Sequence, residues 1–173
     1  QHSVDRPEPS NPKTESRKPK IVRHFPPGSE WLYLKLYTGS ATADVILREL
    51  VREIVDTVVE TRAADRWFFI RYGDPDWHLR LRFHGAAPAL QKTVMPLLHE
   101  HISMFMERGQ IWRWQLDTYE RELERYGGLE GIELAEHLFH ADSDTVLQLI
   151  ESLEPGDTGA DERWRLTMYG IHR

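Results

Sequence analysis

The sequence predicts an α+β domain on the ferredoxin-like β-α-β-β-α-β plan: an antiparallel sheet with its helices on one face, followed by C-terminal helices. Three observations predict it. Apolar and polar residues alternate with period two at 31–37, 78–84 and 111–119, as in strands with one buried face. Apolar residues between these segments recur at helical spacing. Glycine, proline and aspartate mark each switch of period.

Residues 1–22 carry Pro7, Pro9, Pro12 and Pro19 among charged and small polar residues. Such a segment buries too little apolar surface to offset its ordering entropy, so it reads as a disordered linker or tail, and the domain as residues 23–173. Trp31–Tyr37 sets Leu32, Leu34 and Leu36 against Trp31, Tyr33, Lys35 and Tyr37, giving the first strand. A helix follows over 41–62, with Ile46, Leu50, Ile54 and Val58 on one face and Ser40 or Thr42 as N-cap. Arg66–Tyr72 is an aromatic-rich strand, Gly73-Asp74-Pro75-Asp76 a turn, and His78–His84 the returning strand of a hairpin. The second helix spans 88–107, and Pro96 is a place for a kink. Ile111–Tyr119 is the fourth strand. Beyond Gly127-Gly128 the spacing predicts three helices, over 129–139, over 143–153 and from near 161.

Composition narrows the chemistry. The 173 residues contain no cysteine, which removes disulfides, thiolate metal ligands and a cysteine nucleophile, and fits a reducing, cytoplasmic compartment. A net charge of -6 argues against a protein built to grip a nucleic-acid backbone. No apolar run approaches the roughly 20 residues of a membrane helix. The chain opens on Gln1 and closes at Arg173, shortly after the apolar Trp164 and Leu166, so the domain is expected to continue further.

Strand geometry then locates a basic face. If Leu32, Leu34 and Leu36 join Leu79, Leu81 and Phe83 beneath the helices, period two sends Tyr33, Lys35 and Tyr37 to the other face. There they meet His78, Arg80, Arg82 and His84. Cations concentrated on two central strands are costly unless solvated or filled by an anion, and arginine suits bidentate recognition of carboxylate or phosphate. The plainer reading is a wetted face on which Arg80 and Arg82 pair with Asp117, Glu120 or Glu122.

Other constellations carry less. His99 and His101 stand two apart on a helix and diverge, and His137 and His140 read as a helix surface. Gly127-Gly128 lacks the strand and Lys-Ser/Thr of a phosphate loop. The aromatics at 67–72 suit core packing better than base stacking. No metal or cofactor site is expected.

Several segments together carry a family resemblance. They are Pro27–Tyr37, Phe68–Tyr72, Asp74-Pro75, His78-Leu79-Arg80-Leu81-Arg82-Phe83, Asp117–Glu122, Glu124-Arg125-Tyr126-Gly127-Gly128 and Phe139-His140-Ala141-Asp142-Ser143. In this order they resemble the C-terminal glutamate-elimination domain of class I lanthipeptide dehydratases, also found as a stand-alone thiopeptide-type bacteriocin biosynthesis protein. The resemblance implies a lyase that expels glutamate from glutamylated Ser or Thr of a precursor peptide, leaving dehydroalanine or dehydrobutyrine. It implies as partners that peptide, a glutamyl-tRNA-dependent glutamylation domain or subunit, a cyclase and a second copy in a homodimer.

Arg80, Arg82 and Arg125 match the family's arginines and are expected to be catalytic, although Arg125 also reads as a helix-entry residue paired with Glu122 or Glu124. Tyr33, Lys35, His78 and His84 are expected to contact substrate. The family domain is longer and carries a further histidine in an Asn-Arg motif, which has no counterpart up to Arg173. Two other functions fit the same residues: a related pyridine-forming cycloaddition, and a non-catalytic module that docks an acidic peptide.

Overall fold

The computed structural model describes residues 21–153 and Arg165. Of the tail expected over 1–22, residues 1–20 lie outside the described residues, as does the helix expected near 161 except for Arg165; Ile21 and Val22 have no regular secondary structure. Four strands form the main sheet: β2 (Trp31–Tyr37), β3 (Arg66–Tyr72), β4 (His78–His84) and β5 (Arg113–Asp117). Their order is β3-β4-β2-β5 and every pairing is antiparallel. β2 and β4 are therefore central, as expected. Two short strands, β1 (His24–Phe25) and β6 (Tyr119–Glu120), make a separate ribbon.

Helix α1 runs over 43–61 as a first turn, Ala43–Val45, a π-helical stretch, Ile46–Val51, and a regular part, Arg52–Thr61. The wider π winding lets Leu47 and Val51 join Ile46, Leu50 and Ile54 in the core, all of them essentially inaccessible. Thr42 precedes the helix but makes no side-chain cap. Helix α2, over 87–107, repeats the pattern with Ala87–Ala89, the π stretch Leu90–Val94 and Met95–Glu107. Pro96 follows closely on that π stretch, inside the continuous helix. Both helices cover one face of the sheet, over Leu32, Leu34, Leu36, Leu79, Leu81 and Phe83.

The C-terminal segment departs from expectation. One continuous helix, α3 (Leu129–Ser152), replaces the two predicted over 129–153. Its mid-helix polar residues, which look like a break in sequence, are used by the sheet's edge instead. Phe69 N–H donates to Ser143 Oγ at 3.1 Å, His140 Nδ1 lies 2.9 Å from the Trp67 carbonyl, and Trp67 Nε1 donates to Asp144 at 3.0 Å. Edge strand β3 is thereby capped by side chains rather than by another strand.

The predicted fourth strand, 111–119, is also divided. Thr118 N–H turns back onto Asp117 Oδ1 at 2.7 Å, and Tyr119 leaves β5 to pair with Phe25. That switch closes one end of the second face with a small core of Phe25, Trp31, Tyr33, Phe68 and Tyr119, against which Phe139 packs.

Candidate functional site

The register across β2 and β4 places Tyr33 opposite Arg82, Lys35 opposite Arg80 and Tyr37 opposite His78. The basic face thus forms as expected. One end of it is walled by Tyr119 and Glu120 of β6 and by Ile132, Phe139 and Asp142 of α3. The cleft there is about 640 Å³, lined among others by Phe68, Arg80, Arg82, Tyr119, Glu122 and Arg125.

Arg82 is the centre of this cleft. It is only 7% exposed, yet neither its Nε nor its Nη1 has a hydrogen-bond partner. Three rings surround its guanidinium carbon, Tyr33 at 4.2 Å, Tyr119 at 4.8 Å and Phe68 at 5.1 Å from their centroids. Aromatic faces attract a cation but accept few of its N–H bonds. Burial pulls the guanidinium pKa below its ordinary value, the mark of a cation held without a matching counter-charge. The same burial pushes the Tyr33 and Tyr119 phenols up, so both rings stay neutral.

Arg80 is held differently. Its Cζ stacks 3.4 Å from the Tyr72 ring centroid, and its Nε donates to His78 Nε2 at 3.0 Å. His78 is buried and bonds the Asp76 carbonyl through Nδ1 at 2.7 Å. Both ring nitrogens are therefore in use, with Nδ1 carrying the proton and Nε2 accepting. Burial first, then the charges of Arg80, Lys35 and Arg113, hold the imidazole below its usual pKa despite the Asp76 bond. His78 braces Arg80 and does not line the cleft.

The remaining expected residues fall in two groups. Arg125 lines the cleft from an exposed loop, with Nη1 3.0 Å from Glu122 Oε2. Tyr33, Lys35 and His84 do not line it. Tyr33 supports Arg82 from beneath. Lys35 Nζ lies 2.5 Å from Asp117 Oδ2, so Asp117 pairs with the lysine and not, as the plainer reading had it, with Arg80 or Arg82. His84 Nδ1 lies 2.6 Å from Asp65 and its ring sits 4.8 Å from Trp31.

A second, fully paired arginine was not singled out in the sequence. Arg121 donates from Nε and Nη2 to the two oxygens of Glu136, both at 2.7 Å, and the Tyr119 hydroxyl donates to the same carboxylate at 3.0 Å. Glu136 is wholly inaccessible. This knot ties β6 to α3 and fixes the Tyr119 ring against Arg82. Only the i,i+15 separation links the pair, so no local pattern announces it.

The loop from Arg121 to Gly128 completes the wall. Gly127 and Gly128 have φ of 79° and 95°, the left-handed region in which a side chain is strained. Gly131, on the first turn of α3, approaches so closely that a Cβ there would lie 1.6 Å from the Tyr126 carbonyl oxygen. No cluster of three or more His, Asp or Glu able to hold a metal occurs among the described residues.

With this geometry in place, comparisons with known proteins identify relatives. The family model described as "Lantibiotic biosynthesis dehydratase C-term" matches residues 31–172. The subtilin biosynthesis protein SpaB of Bacillus subtilis is 36% identical over 124 residues, covering 72% of this chain and 12% of SpaB. The nisin biosynthesis protein NisB of Lactococcus lactis is 31% identical over 144 residues, covering 81% of this chain and 13% of NisB. The crystal structure of the tRNA-dependent lantibiotic dehydratase MibB from Microbispora sp. 107891 superposes with a TM-score of 0.65 at 35% identity, over 76% of this chain and 13% of MibB. The chain thus spans about an eighth of the length of each.

Proposed function

We propose, for a chain that belongs to the lantibiotic biosynthesis dehydratase C-terminal family, that its cleft eliminates glutamate from glutamylated Ser or Thr of a precursor peptide. The observation that carries this reading is Arg82, buried with two N–H donors unpartnered in a cleft that it shares with Arg80 and Arg125. Leaving such donors unmade costs free energy in the empty protein, and a carboxylate restores the bonds when it binds.

The reaction breaks the Cα–H and Cβ–O bonds of the modified residue and forms the Cα=Cβ bond. The proton goes to a base, and the electron pair of the Cβ–O bond leaves with the glutamate carboxylate. Negative charge grows first on the enolate and then on the leaving group. Fixed guanidinium groups stabilise charge as it develops and need no reorganisation to do so. Arg80, braced by His78 and Tyr72, is preorganised in this sense. Arg82, bedded in three rings, is too. Arg125 stands on the loop opposite, where it would close over a bound glutamyl group. No residue described here is assigned as the base, and glutamylation itself is assigned to another domain or subunit.

The test is replacement of Arg80 or Arg82 by a neutral residue in the full dehydratase. Elimination should fall by ~10²–10³ while glutamylation continues. Peptide mass spectrometry would then show glutamyl adducts, a gain in mass, in place of dehydrated product. Arg82→Lys should restore little, since an ammonium cannot reproduce the planar fork. Normal dehydration in both neutral variants would overturn the assignment.

A further inference from the structure

Most polar members of the Phe139–Asp144 segment have a visible structural task. Phe139 packs against Phe68 with ring centroids 5.4 Å apart, while His140, Ser143 and Asp144 cap strand β3. Asp142 has none. Its exposed carboxylate lines the cleft without a hydrogen-bond or ion-pair partner among the described residues. The other carboxylates of the cleft are engaged, Glu120 with His24 at 3.3 Å and Glu122 with Arg125 at 3.0 Å.

One cleft therefore holds an unpartnered cation, the nine-tenths-buried Arg82, and an unpartnered anion, Asp142, on two different elements. They form no ion pair with each other, and Phe68, which also lines the cleft, contacts both Arg82 and Phe139. A cleft that combines apolar rings with opposite charges on separate elements is complementary to a small zwitterion.

Resting on the elimination reading above, we infer that Asp142 binds the ammonium group of the glutamyl substituent while Arg82 holds a carboxylate. Asp142 is then a specificity residue. It selects an aminoacyl ester over an ester of the same acid lacking the amine. Its position also gives the released amino acid two handles, so free glutamate should occupy the cleft more tightly than glutarate.

The experiment compares two esters of one precursor peptide, glutamyl and glutaryl, with the wild-type full chain and with Asp142→Asn. In the wild type the glutamyl ester should be eliminated with the higher kcat/KM. Asn at 142 should lower that value roughly tenfold, the low end for a hydrogen bond between charged groups, and leave the glutaryl ester nearly unchanged. Inhibition by free glutamate should weaken in the variant, and inhibition by glutarate should not. Because Asp142 makes no hydrogen bond or ion pair among the described residues, thermal melting should be unaltered, which separates recognition from folding. Equal effects on both esters, or none on either, would overturn the Asp142 assignment and leave the elimination reading intact. A wild type that eliminates neither ester would overturn both.

Discussion

Arg82 and Arg121 are equally buried, both 7% exposed, but replacing each by methionine should have different consequences. Methionine keeps most of the apolar contact of the arginine stem and removes the charge. At position 121 it strips Glu136 of its bidentate partner in a wholly inaccessible place. Breaking such a pair from one side costs ~3–5 kcal/mol. The lower end applies, because Arg66 Nη1 stands 3.6 Å from the same carboxylate. At position 82 two opposing contributions nearly cancel. Relief of two unpartnered donors contributes ~1–3 kcal/mol each. The lost attraction to three rings costs roughly 0.5–2 kcal/mol each. Arg82→Met is therefore expected within about 2 kcal/mol of the wild type, and Arg121→Met about 3 kcal/mol below it. For a chain of this length 3 kcal/mol corresponds to roughly 6–12 °C in Tm. Urea unfolding with an unchanged slope measures both differences. Elimination should be lost in Arg82→Met although its fold survives. An Arg82→Met variant as unstable as Arg121→Met would show that Arg82 is a structural cation, and the reasoning from its unpartnered donors would fail.

Two further predictions concern the groups that hold the site. His78 has a folded pKa below its unfolded value, chiefly through burial, so the unfolded chain takes up the proton first. Its contribution is intact above an unfolded pKa of ~6.5 and is lost as pH falls from there to the folded pKa; His78→Gln should flatten this part of the stability–pH curve, and an unchanged slope would contradict it. Gly131→Ala gains ~1 kcal/mol of helix propensity but drives a Cβ into the Tyr126 carbonyl, so denaturation should show net destabilisation and elimination should weaken as the Arg125 loop shifts; a more stable and fully active variant would refute the close approach.

The main sheet was legible because alternation is a local property. Leu32, Leu34 and Leu36 against Tyr33 and Lys35 fix which face each side chain takes, and Leu79 to His84 repeats the rule on the neighbouring strand. The basic face followed from those two strands alone. What was not legible depends on distant partners. Ser143 and Asp144 resemble a helix break until β3 supplies the donors that they accept from. The ribbon of His24–Phe25 with Tyr119–Glu120 is too short to show any period. The expected contact residues Tyr33, Lys35, His78 and His84 do share the basic face, but period two cannot tell a side chain that reaches a cleft from one spent on its neighbour.

On the elimination reading, the two buried arginines separate holding from binding. A carboxylate is the stronger partner for a guanidinium, and Arg121 has one in both of its available forks. A carboxylate beside Arg82 would stabilise the empty protein in the same way, but it would also occupy the donors that an incoming anion needs. Aromatic faces solve this differently: Tyr33, Phe68 and Tyr119 compensate part of the charge and leave the N–H groups unmade. The knot around Glu136 then acquires a second role, because its hydrogen bond from the Tyr119 hydroxyl sets one wall of that cage. On the elimination reading, Arg121 and Glu136 hold the fold beside Arg82, and the aromatic cage leaves a desolvated cation with donors free for an anion.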